Sequence, residues 1–305
     1  MLILVINLAR RPDRLAFVRS QLDALGIAFE RIDAIDGKAM DLGPGTDLMT
    51  PVEHACALSH RKAWLRFLAS DESHCLILED DVFVAPQTKQ VIEDPRGLPK
   101  SVEILRLETR LHPSLLGRGR RRGPPGFKAH PLLSTHHGSA AYIINRAFAE
   151  RAVNHSIAFV EPLDDVLFNL TSSSYLPSIT YQMRPGLCVQ ADLYEPAKGT
   201  AISRSDLETE RDIRKSQLEP SHPHVAMKRK RSFPEKCLRE VGRWWRKIRT
   251  TAEFLHVRFI VGRAWRDIPF AGRILPVAAA ALAYPGSEQG AQPEVQALSI
   301  QATGR

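Results

Sequence analysis

The sequence predicts an α/β fold, and three adjacent stretches carry the prediction. Leu2 to Leu8 is an apolar-rich run of strand length. Leu15, Val18, Leu22 and Leu25 then recur at helical spacing until Gly26 stops the helix. Ile27 to Gly37 reads as a second strand closed by an Asp-Gly turn. A strand, a helix and a strand in that order form a βαβ unit, which requires a parallel pair and a right-handed crossover.

Later elements extend this pattern. Ala55, Leu58, Ala63, Leu65, Phe67 and Leu68 predict one or two helices between Pro51 and Ser70. Cys75-Leu76-Ile77-Leu78 is a short apolar run of buried-strand type that ends in three carboxylates, Glu79, Asp80 and Asp81. Val102 to Leu107 and Ala140 to Ile144 read as further strands, and Asn145 caps a helix carrying Ala147, Phe148, Ala152 and Val153. Tyr175-Leu176 and Ile179 to Tyr181 are expected as late strands. Leu116 to Phe127 is dense in Gly, Pro and Arg, has neither period, and reads as a mobile loop.

The chain has 305 residues, 44% of them hydrophobic, enough for a sizeable core. Its four cysteines, Cys56, Cys75, Cys188 and Cys237, are scattered without CxxC pairing, which fits reduced thiols rather than a disulfide framework or a zinc site. No basic residue precedes the first apolar run, so the N-terminus reads as a strand and not as a signal peptide. No stretch reaches the roughly 18 apolar residues that a membrane span needs. The net charge is +8, and the segment from Val225 to Arg249 accounts for all of it, with ten Lys/Arg against Glu235 and Glu240.

The acid triplet is the central candidate site. Ligands of open α/β sheets collect at the carboxyl ends of strands, where these acids fall. On an extended backbone Glu79 and Asp81 point one way and Asp80 the other. Like charges so close call for a cation, and hard oxygen ligands suit Mg²⁺ or Mn²⁺. Glu79 and Asp81 are therefore the candidate metal ligands; a solvated turn is the plain alternative. Arg10, Arg11 and Arg14 near the end of the first strand can meet a phosphate or serve as surface charges at a helix start, and Asn7 can bond a base or ribose. His54 and His60 are structural unless other groups support them. Asp164 and Asp165 follow Pro162, where Asp164 can simply cap a helix.

Four motifs occur in order. They are Val5-Ile6-Asn7-Leu8 with Arg11, Asp13 and Arg14; Ile32 to Gly37; Cys56-Ala57-Leu58-Ser59-His60; and Leu76 to Val82. Together with Gly138 to Ile144 and Pro162 to Asp165, they make residues 1 to about 195 resemble glycosyltransferase family 25. The resemblance implies a GT-A-like, Rossmann-like nucleotide-sugar domain with a mostly parallel sheet. It implies transfer of a hexose, galactose foremost, from a UDP-sugar to a hydroxyl of a lipooligosaccharide or other saccharide, by an inverting displacement. In that reading a divalent metal sits on Glu79 and Asp81, and Asp164 or Asp165 is the base. Asn7, Arg11, Arg14, Asp36, His60 and Asp80 serve the donor. The rival is a non-catalytic protein that binds nucleotide sugars or an anionic membrane on the same fold.

The expected organisation is a catalytic domain over 1–191, a polar linker over 192–224, a basic helical extension over 225–284 and a disordered tail over 285–305. Lys228 to Arg231 and Trp244 to Lys247 interleave basic side chains with tryptophan, as in helices lying on anionic membranes. Residues 225–273 are thus expected to dock on such a surface, with nucleic acid the less favoured partner and a tail with no binding role also open. The expected place is the bacterial cytoplasm, at the inner face of the cytoplasmic membrane.

Overall fold

The computed structural model describes residues 1–39, 49–94, 101–156, 160–204, 263–272 and 274–283. Most of the sequence between 192 and 262 that was read as linker and basic extension, including Lys228 to Arg231 and Trp244 to Lys247, lies outside these residues. So do the tail at 285–305 and Cys237.

The predicted βαβ unit opens the chain. Strand β1 (Leu2–Asn7) leads through Leu8 to Arg11 into helix α1 (Pro12–Ala24), whose first turn carries proline, where the missing N–H costs nothing. Gly26 stops α1 with φ at +60°, the left-handed conformation that glycine adopts without strain. Strand β2 (Glu30–Asp33) pairs parallel with β1 and is shorter than expected. A single helix, α2 (Pro51–Leu68), follows. Thr50 and Glu53 form a capping box at its start, with Glu53 N donating to Thr50 Oγ1 at 3.2 Å and Thr50 N to Glu53 Oε2 at 2.8 Å.

Strand β3 (His74–Glu79) runs beside β1 in parallel register. Strand β4 (Val82–Val84) leaves that sheet and pairs with β11 (Cys188–Gln190). After the short helix α3 (Thr88–Ile92) come β5 (Ile104–Arg106), β6 (Ser114–Leu116), β7 (Arg120–Arg121) and β8 (Lys128–Pro131). Strand β9 (Ala141–Asn145) leads into helix α4 (Arg146–His155), capped by Asn145 as expected, its side chain accepting from Phe148 N at 2.8 Å. Helix α5 (Leu163–Phe168) and strand β10 (Thr180–Arg184) complete the main sheet, and Tyr175-Leu176 forms no strand. Strand β12 (Ala264–Arg266) pairs with β6, and helix α6 (Pro276–Ala283) packs against α1.

The main sheet has eight strands in the order β2-β1-β3-β9-β5-β10-β8-β7. Six run in one direction; β9 and β8 are reversed. The fold is therefore α/β with a mostly co-directional sheet. The loop expected over 116–127 is partly ordered, because Arg120 and Arg121 pair with Ala129 and Lys128 as an edge hairpin. One apolar layer packs α2, α4 and α5 on the face carrying Ile77, Tyr142 and Ile144, and α1 covers Val5, Leu76 and Leu78 on the other. Cys56, Cys75 and Cys188 are free thiols. Among the described residues, no helix is long and apolar enough to cross a membrane.

Candidate active site

Glu79 ends β3, and the chain turns at Asp80 and Asp81. The turn corrects the expected alternation: all three acids line one cavity with Arg10, Arg11, Arg14, Asp36, Ser59, His60 and Gln190. Its position follows from the sheet, since β1 and β3 run parallel and both deliver their carboxyl ends there.

Arg14 is the cation of this cluster. Its Nη1 lies 3.2 Å from Asp80 Oδ1 and 3.1 Å from Asp81 Oδ2, and its Nη2 donates to the carbonyls of Ile202 and Arg204 at 2.8 and 2.9 Å. Burial opposes the charge on Arg14, but Asp81, Asp80 and Glu79 outweigh it and raise its pKa. Arg11 instead faces Asp13 at 2.8 Å and donates to Ala201 O at 2.8 Å. Two arginines that line the cavity therefore also hold the backbone of residues 201–204.

Asn7 is buried and hydrogen-bonded through both its side-chain nitrogen and its oxygen. Its Nδ2 donates to Asp80 Oδ2 at 2.6 Å and to Arg11 O at 2.9 Å, and its Oδ1 accepts from Arg31 at 2.8 Å. It positions Asp80 and does not line the cavity. Asp36 does line it, held by Arg10 at 2.6 Å.

His60 has no solvent exposure. Trp64 Nε1 can only donate, and it gives its proton to Tyr142 Oη at 3.0 Å. Tyr142 Oη also hydrogen-bonds His60 Nδ1 at 2.8 Å, and His60 Nε2 faces Glu79 Oε1 at 3.3 Å, so the ring is held between the two. Burial pushes the His60 pKa down to about 3, which keeps the ring neutral. Burial first, then Asp81, pushes Glu79 up to about 8; burial and Asp81 likewise push Asp80 up to about 6. Tyr142→Phe should strand the Trp64 N–H and the His60 Nδ1 and cost about 1–3 kcal/mol, read as a lower urea midpoint.

Two sets of donors can be considered for a cation. Cys56, His60 and Glu79 offer ligand atoms within 4.8 Å of one another. In that set burial raises the Cys56 thiol well above its ordinary value, which disfavours the thiolate that a metal would need. Glu79 and Asp81 fit a hard cation better, because Asp81 Oδ1 is buried with no hydrogen-bond partner.

Asp164 and Asp165 both sit in the first turn of α5, whose N-cap is Pro162, so neither caps it. Asp164 Oδ2 accepts from Gly138 N at 3.1 Å and lies 3.8 Å from His137 Nδ1; its charge contributes to the rise at Glu79. Asp165 turns to Asn169 on its own helix at 2.8 Å. Neither lines the acid cavity, but of the pair Asp164 is the one whose charge reaches Glu79.

Arg106 and Glu108 escaped the sequence reading. Arg106 is buried over the Phe168 ring, 4.2 Å from its centroid, and donates to the carbonyls of Gly138 and His137 at 2.9 and 3.0 Å. Glu108, 3.6 Å away, accepts from Ala140 N at 3.0 Å. Together they hold the turn that gives Ser139 to Glu79 and Gly138 to Asp164. Gly138 has φ of +83°, and an added Cβ would lie 2.4 Å from Glu108 Oε1. Gly138→Ala should cost about 1–3 kcal/mol from backbone strain alone and lower the melting temperature by about 5 °C, with loss of activity as the turn shifts.

The family model described as glycosyltransferase family 25 (LPS biosynthesis protein) matches residues 1–167, more than half of the chain. The chain belongs to glycosyltransferase family 25. The family match contains the acid triplet, His60, Arg106, Gly138 and both candidate bases, whereas the 201–204 segment lies beyond it. The lipooligosaccharide biosynthesis protein lic2B of Haemophilus influenzae is 26% identical over 273 residues, covering 78% of this chain and 94% of its own. The lacto-N-neotetraose biosynthesis glycosyltransferase LgtB of Neisseria gonorrhoeae is 29% identical over 206 residues, covering 61% and 73%. A solved glycosyltransferase involved in the glycosylation of the major capsid of PBCV-1 covers 72% of this chain and 100% of its own at 12% identity and a TM-score of 0.35.

Proposed function

We propose that this family 25 glycosyltransferase moves a hexose, galactose foremost, from a UDP-sugar to a hydroxyl of a lipooligosaccharide or other cell-surface saccharide. Transfer is inverting and assisted by a divalent metal. The observation that carries this reading is the Glu79-Asp80-Asp81 turn, with an unsatisfied Asp81 oxygen facing a cavity that Arg11 and Arg14 also line. The names of lic2B and LgtB support the acceptor class.

Glu79 and Asp81 would hold Mg²⁺ or Mn²⁺, which when bound supplies charge to stabilise the departing diphosphate. His60 holds one Glu79 oxygen in place, and Asn7 and Arg14 hold Asp80 beside it. Arg11 and Arg14 are the cations available to the diphosphate once they leave their carbonyl partners at 201–204. The cavity of about 110 Å³ is smaller than the roughly 300–1,000 Å³ of ordinary ligand pockets, so the donor needs that rearrangement. Asp164, fixed at Oδ2 by Gly138, accepts the proton of the attacking hydroxyl at its other oxygen.

The test is incubation with a panel of UDP-sugars and oligosaccharide acceptors, read by mass spectrometry. A hexose-sized mass gain that needs UDP-galactose supports the reading. Donor binding with no transfer to any acceptor returns the protein to the non-catalytic alternative. Vesicle binding by residues 225–273, and a cytoplasmic membrane-face location, belong to the same proposal; flotation with anionic vesicles decides them.

A further inference from the structure

A second cavity, of about 500 Å³, lies at the opposite side of the main sheet from β1 and β2, lined by Arg118, Lys128, His130, Arg184 and Arg266 together with Gly119 and Gly126. No acidic side chain lines it. Elsewhere arginines meet carboxylates, as in Arg10 with Asp36, Arg31 with Asp33, Arg66 with Glu30 and Arg151 with Glu103. Among the described residues, Arg118, Lys128, Arg184 and Arg266 have no such partner; Arg184 donates only to the Asp267 carbonyl, at 2.8 Å.

The walls of this cavity are built, not incidental. Lys128 and Arg184 are direct partners across the β8–β10 ladder, which holds two like charges side by side. Like charges directly opposite are destabilising, a repulsion that a bound anion would relieve. His130, two residues on, is buried, with Nδ1 against Gly117 O at 2.9 Å. Gly119 lies against its ring so closely that a Cβ there would sit 2.3 Å from it. Arg266 arrives from β12, which pairs with β6. Cations from four segments thus converge on one space of ordinary ligand size.

The sheet register relates this cavity to the acids. Ile77, Tyr142, Arg106, Gln182 and His130 are successive cross-strand partners and share one face. Glu79 lies two residues beyond Ile77, and Arg184 two beyond Gln182 on a strand of the same direction. Lys128 lies two before His130 on a reversed strand. Glu79, Arg184 and Lys128 therefore lie on that same face, toward the same sheet end, separated by three or four strand spacings, about 15–20 Å. An oligosaccharide can bridge that span.

We propose that the Arg118–Lys128–Arg184–Arg266 cavity binds a phosphate group carried by the acceptor saccharide while its reacting hydroxyl lies at Asp164. The proposal rests on the transferase reading for its second half only; phosphate binding stands independently of it. Arginine forks and a lysine ammonium match phosphate oxygens in charge and geometry. The site selects acceptors by charge at a distance from the chemistry.

The test uses the full chain and the double variant Lys128→Gln/Arg184→Gln, with Arg120→Gln on the same hairpin as control and unchanged melting temperature as the folding check. Titration calorimetry measures inorganic pyrophosphate, a phosphorylated core oligosaccharide, the same oligosaccharide after dephosphorylation, and vesicles of one-fifth anionic phospholipid. We expect the wild type to bind the phosphorylated saccharide at least about tenfold more tightly than the dephosphorylated one. The double variant should lose that difference and Arg120→Gln should keep it. In transfer assays KM for the phosphorylated acceptor should rise with kcat and UDP-sugar hydrolysis unchanged. Equal binding of both saccharides by the wild type overturns the proposal, as does tight binding of vesicles or pyrophosphate with no preference for the phosphorylated saccharide. If no UDP-sugar is turned over at all, the transferase reading fails while the calorimetry still decides the phosphate site.

Discussion

Asp81→Asn is expected to lower turnover by about 10²–10³-fold, the loss typical when one preorganised partner of developing negative charge is removed. The change is nearly isosteric; it removes one of the two carboxylates on Arg14, and Asp80 keeps the other pairing, so the fold should stand. Chelation of the wild type should reproduce the loss, and chelation of Asp81→Asn should add little. If transfer and UDP-sugar hydrolysis survive both treatments, the metal-diphosphate reading is wrong. Glu79 adds a pH signature. Its folded value of about 8 lies above the ordinary 4.5, so the folded protein holds a proton that the unfolded chain has released. The stability contributed by Glu79 in the cation-free protein is complete below about pH 4.5 and is lost as pH rises toward 8. His60 acts the other way. Its folded value of about 3 costs stability below the ordinary 6.5, and that cost has ended by neutral pH. Between about pH 6.5 and 8 the Glu79 trend therefore stands clear of His60: melting temperature should fall without Mn²⁺ and fall less with it. Glu79→Gln should make the cation-free trend shallower, leaving the part that Glu108, pushed up to about 7 by burial, adds with the same sign.

The elements that bring the acids together were legible because each rests on local chemistry. The apolar run before Glu79, the glycine stop of α1 and the Asn145 cap are written in consecutive residues, and each formed as expected. What the sequence hid depends on contacts distant along the chain. Asn7 looks like a free polar group at a strand end, but its bonds to Asp80, Arg11 and Arg31 hold it in place away from the cavity. The alternation expected for Glu79 to Asp81 failed because the chain turns immediately after the strand, so that Asp80 joins its neighbours on Arg14. Arg106 and Glu108 could have been noticed, since they alternate with Leu105 and Leu107 along and just beyond an apolar strand. Their partners at residues 137 to 140 are some thirty positions away, and no local pattern names them. The hairpin at 120–129 was hidden for another reason: its side chains are mostly basic on an edge, so it lacks the apolar alternation that marks a half-buried strand.

The two aspartates of α5 should separate sharply. Asp164→Asn is expected to reduce turnover by about 10²–10⁴-fold, the range for loss of a general base, while UDP-sugar affinity changes by less than about threefold. The geometry gives the reason. Asp164 shares the 137–139 turn with the acid cluster through Gly138 and Ser139, whereas Asp165 is occupied by Asn169 within its own helix. Asp165→Asn should therefore keep turnover within about tenfold and show its effect, if any, as a lower melting temperature. Both variants are assayed with donor binding measured in parallel. If Asp164→Asn turns over normally while donor still binds, Asp164 is not the base. If instead Asp165→Asn alone loses turnover, α5 must rotate when acceptor binds, bringing Asp165 away from Asn169 and into the cavity.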